Sequence, residues 1–122
     1  MTKEQAYYNF WSSFGIVAYE ESTVPTNAEY PRIVYQVKTG EMGDLLYPTA
    51  KLFFKSFSWT AADEKIKEIA DAIKNAYPPA IKIDDGRMYI TKGVPFAQRY
   101  KDSDDNIRAY LINIVVEFET YS

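Results

Sequence analysis

The chain has 122 residues, the size of a single domain, and 47% of them are hydrophobic, enough to bury a core without staples. It holds no Cys and no His, which excludes disulfides, thiolate nucleophiles, Cys-ligated zinc and any Ser-His-Asp triad. A net charge of −3 leaves no electrostatic footprint for nucleic-acid phosphates, and no run of Lys and Arg marks a membrane surface. With the commonest general base and the strongest nucleophile both missing, neither an enzyme nor a cofactor is expected. The opening "MTKEQAYYNFW" lacks the apolar stretch of a secretory signal, and no window approaches ~20 consecutive apolar residues. The expectation is a soluble protein made in the cytoplasm.

Residues 2 to 14 read as a helix: Thr2 and Gln5 have capping-box spacing, and Tyr7, Phe10, Trp11 and Phe14 recur at helical intervals before Gly15. Residues 16 to 31 hold two prolines and many turn formers, so an irregular connection is expected, with a short strand at Ile16 to Tyr19. Pro31 opens a strand over Arg32 to Lys38, and "TGEMGDLLYP" breaks it. A second strand runs from Thr49 to about Ser58, with Ala50, Leu52 and Phe54 alternating with Lys51, Phe53, Lys55 and Phe57.

Thr60 is placed to cap the next helix with Asp63 at the box position, and Ala62, Ile66, Ile69, Ile73 and Ala76 form its apolar stripe. Pro78 and Pro79 end it. In "AIKIDDGRMYI", Asp85-Gly86 between alternating runs signals a hairpin, giving strands near 80 to 84 and 87 to 92. Gly93 and Pro95 read as the end of the second, with "FAQRYKDSDD" as a loop. The last strand spans residues 107 to 119, with Tyr110, Ile112, Ile114, Val116 and Phe118 on its core face. The pattern predicts one α+β domain over residues 1–122: about five mostly antiparallel strands with two helices packed on one face, in the order αββαβββ.

Little in this order carries chemistry. Asp102, Asp104 and Asp105 form an acidic loop, but "DSDDN" lacks the glycine and distal Glu of a calcium loop, so no metal is expected. Glu20 and Glu21 are adjacent and point to opposite faces of a strand. "TGEMGD" has no Lys-Ser/Thr to make a phosphate cradle, and the chain's acidity argues against Lys51, Lys55, Phe53 and Phe57 as a nucleic-acid platform. More telling are apolar residues where solvent is expected. Met42, Leu45, Leu46 and Tyr47 sit in a loop, and Phe53 and Phe57, with Leu111 and Val115, lie on the second sheet face. Together with 11 tyrosines they suggest contact with other subunits.

"FWSSFGIVAYEESTVP", "YPRIVYQV" and "PFAQRYKDSDDNIRAYLINIVVEFET" resemble the small tail terminator (tail completion) proteins of long-tailed phages and Gram-positive prophages, over nearly the whole chain. The resemblance implies a non-enzymatic virion protein of the tail, made in the bacterial host. Such proteins form a homo-oligomeric, typically hexameric, ring that caps the tail tube and joins it to the head connector. No membrane is involved, and DNA is only passing cargo. Under that reading Met42, Leu45, Leu46, Tyr47, Phe53 and Phe57 are interface residues, and the acidic loop of Asp102, Asp104 and Asp105 faces the channel, where it repels DNA phosphates. The alternatives are another head-tail connector or tail tube component, or a small-molecule or peptide-binding module with a pocket lined by Trp11 and Tyr35.

Overall fold

The computed structural model describes residues 1–41, 43–75 and 80–120. The chain begins with helix α1 (Lys3–Ser12), whose capping box is complete. The Thr2 hydroxyl accepts from the Gln5 amide at 3.2 Å, and the Gln5 side chain accepts from the Thr2 amide at 2.8 Å. Gly15, at φ +74°, takes the left-handed turn that leads into β1 (Val17–Glu20). Then follow β2 (Arg32–Tyr35), β3 (Leu45–Leu46), β4 (Thr49–Lys55), α2 (Thr60–Asn75), β5 (Ala80–Ile83), β6 (Gly86–Lys101) and β7 (Ile107–Thr120).

The strands form one seven-stranded mixed sheet that curls into a half-barrel. Its order is β1-β2-β4-β7-β6-β5, with β3 paired to β7 beyond the end of β4. This corrects the expected five-stranded sheet in the order αββαβββ, for three physical reasons. Val17–Glu20 is a full strand, and the irregular connection after it returns the chain so that β2 runs parallel to β1, Val17 beside Arg32. Leu45 and Leu46 leave the loop briefly to pair with Glu117 and Val116. Gly93 and Pro95 do not end a strand. They sit in a bulge, and "FAQRYK" continues as β6 rather than as a loop.

β7 is the centre of the sheet, with β4 on one side and β6 on the other. Alternation decides which of its faces is inside: Ile112, Ile114, Val116 and Phe118 are 1% exposed or less. Burying a side chain of this size stabilises the fold by about 1.5–3 kcal/mol. Both helices pack on that face. From α1, Tyr7 meets Phe118 edge-on at 6.3 Å; just ahead of α2, Trp59 meets Tyr110 at 5.4 Å. Trp11, Ile69 and Ile73 complete the core. The Lys65 ammonium donates to the Phe14 carbonyl at 2.7 Å and pairs with Glu68 at 2.5 Å, which ties α2 to the end of α1. Ala76, expected on the α2 stripe, lies outside the described residues.

Candidate functional site

A hollow of about 360 Å³ lies at the closed end of the β6–β7 hairpin. Its apolar walls are Trp59, Tyr100 and Ile107. The Arg99 guanidinium lies 4.3 Å from the Trp59 ring and that of Arg108 lies 5.7 Å from it, so the indole is flanked by two cations.

Each arginine is fixed from a different element. Arg99 Nη2 donates to both carboxylate oxygens of Asp63, at 3.2 and 2.9 Å, and its Nε donates to the Tyr110 hydroxyl at 3.1 Å. The Tyr110 hydroxyl in turn donates to Asp63 Oδ1. The Tyr110 hydrogen bond, reinforced by Arg99, holds the Asp63 carboxyl below the usual carboxylate range. Burial first, and then the Asp63 carboxylate, push the Tyr110 phenol up. Asp63, expected at the capping-box position of α2, is therefore occupied in joining α2 to β6 and β7. Arg108 Nη1 donates to the Asp105 carbonyl at 2.8 Å and Nη2 to the Phe57 carbonyl at 2.9 Å.

Asp102, Asp104 and Asp105 all line this hollow. Asp102 Oδ2 accepts from the Asp104 amide and Asp104 Oδ1 from the Asn106 amide, both at 3.1 Å, so these carboxylates shape the turn. They also stand close to Lys101 and Arg108, which face each other across the β6–β7 ladder. Like charges directly opposite destabilise a sheet, and Arg108 is there held by the Asp105 and Phe57 carbonyls. The loop expected to present bare negative charge to a channel thus belongs to a surface of mixed sign.

The expected interface residues separate into groups. Leu45 and Tyr47 are 54% and 60% exposed, and Leu46 is half-buried against the core. Met42 lies outside the described residues. Phe57 is 77% exposed, in the turn after β4 rather than on it, and its ring lies 6.0 Å from Arg108. Leu45 pairs opposite Glu117 while Phe57 lies beside Arg108, so the two groups stand about 30 Å apart along β7. Phe53 is half-buried on the outer sheet face, between the Tyr100 ring at 6.4 Å and the Arg32 guanidinium at 5.4 Å. Trp11 and Tyr35, the walls expected of a ligand pocket, are 1% and 4% exposed and belong to the core.

Sequence reasoning passed over Trp59, Arg99 and Arg108. Arg99, Lys101, Arg108 and Tyr110 do alternate on two strands, but reading 96–101 as a loop hid that alternation. No protein-family profile matches the chain, and no curated protein matches it either.

Proposed function

We propose that this protein is a structural, ring-forming component of a phage or prophage tail, of the terminator kind, which caps the tail tube and joins it to the head connector. The resemblance noted in the sequence suggests the reading, and one structural observation supports it. Among the exposed apolar side chains, which also include Met1, Tyr8, Val17 and Val94, Phe57 stands at one end of β7 and Leu45 with Tyr47 at the other. A terminator needs one surface for the tube and another for the connector, besides the contacts between its own subunits. Several charged groups at the β6–β7 hollow serve the fold: Asp63 pairs with Arg99, and the Asp102 and Asp104 carboxylates accept from backbone amides of the turn.

The direct test is negative-stain electron microscopy of the concentrated protein, with and without magnesium, beside light scattering on the same sample. Closed rings of one diameter are expected. Long tubes would move the protein to the tail tube instead, and a monomer at every concentration would remove the ground for either.

A further inference from the structure

The bulge in β6 has no assigned role. Lys92 pairs with Ile114 and Ala97 with Ile112, so four residues of β6 stand against the single Asn113 of β7. The bulge is held firmly. A Cβ on Gly93 would lie 2.8 Å from that of Asn113, which makes glycine the residue that permits the approach. Asn113 Nδ2 donates to the Pro95 carbonyl at 3.0 Å, and Phe96 packs back against the core. On this fixed backbone Val94 is 98% exposed. An apolar side chain presented to water on a rigid bulge is a knob without a socket.

We propose that the Val94–Pro95 knob of one copy seats in the Trp59 hollow of a second copy, head to tail. The inference rests on the ring reading above and names the contact that closes the ring. The apolar parts match: Val94 and Pro95 meet the walls of Trp59, Tyr100 and Ile107. The charges match as well. Arg99 is balanced by Asp63, which leaves the carboxylates of Asp102, Asp104 and Asp105 against Lys101 and Arg108, a surplus of one negative charge. Lys92, beside the knob and with no ion pair among the described residues, brings the matching positive charge. Within one chain the two surfaces lie about 20 Å apart, the six residues of β7 from Asn113 to Ile107, so the knob cannot reach its own hollow. Because they differ, joining them repeats by rotation.

The chain contains no Cys, so engineered cross-links have no background. Val94→Cys with Asp105→Cys is the pair to build. A disulfide needs Cα atoms within about 7 Å, which these two sites meet only across a subunit contact of the stated kind. Under mild oxidation the double variant is expected to give a covalent ladder ending at the ring size, while each single variant stops at a dimer. Val94→Asp should weaken association at least tenfold without loss of folding, since the side chain is solvent-exposed. Lys92→Glu should weaken it less and be restored by Asp105→Lys on the partner copy. Rings by light scattering with no ladder from the double variant would overturn this contact and leave the ring reading standing. A wild-type chain that remains monomeric throughout would overturn both.

Discussion

Among single residues, Tyr7 does two jobs at once. Its ring is fully buried against Phe118, and its hydroxyl donates to the Lys38 carbonyl at 2.5 Å. Tyr7→Phe keeps the packing and orphans that carbonyl, so a loss of about 1 kcal/mol in urea denaturation is expected. Burial pushes the phenol up to about 12. A raised value means that its contribution is complete below the ordinary tyrosine value, about pH 10, and is lost as pH climbs through about 12. The stability gap between wild type and Tyr7→Phe should therefore change only on the alkaline limb. Asp63 works in the opposite sense. Its depressed carboxyl contributes above the ordinary carboxylate range, about pH 4, and the contribution disappears as pH falls through the folded-state value. Asp63→Asn should be less stable than wild type at neutral pH, with the two acid-unfolding curves converging below about pH 4.

At the level of elements, legibility depended on how local the cause was. The capping box of α1 and the inward face of β7 were readable because each follows from neighbouring residues: Thr2 and Gln5 satisfy orphan amides, and alternate residues of a strand share a face. The sheet order was not readable. Nothing local in residues 21 to 31 says that β2 will lie parallel to β1, and a two-residue strand such as β3 exists only because β7 offers an unpaired edge beyond Thr49. The costliest misreading was at Gly93 and Pro95. Both residues weaken a strand in isolation, but the side chain of Asn113 supplies the partner that keeps them in register. The hollow was lost with it, because Arg99 and Lys101 acquire a common setting with Arg108 only when β6 continues past the bulge. A specific consequence is that Gly93→Ala, with its Cβ driven onto Asn113, should cost about 1–3 kcal/mol and broaden or shift the Asn113 amide resonance in NMR.

For the whole molecule, the separation of exposed apolar groups makes assembly and docking separable by mutation. Leu45→Asp with Tyr47→Asp alters a surface about 30 Å from Phe57. Under the proposed function the double variant should fold and close rings as wild type does. It should fail to join tubes to heads, scored by electron microscopy of complemented phage. Full activity of that variant would remove the loop from the docking surface.

The position of β7 in the sheet also bears on biosynthesis. The strand that neighbours β3, β4 and β6 is made after all of them, so the segments of β1, β2 and β4 and those of β5 and β6 are synthesised before the element that unites them. At about 5–20 residues per second the nascent chain waits on the order of 1–3 s for those fourteen residues. Throughout that interval Leu52, Met88 and Ile90, all covered in the finished fold, lack their β7 partners Tyr110, Phe118 and Val116. Until β7 follows them, the inward faces of β4 and β6 present apolar surface of the kind that makes a nascent chain prone to aggregate.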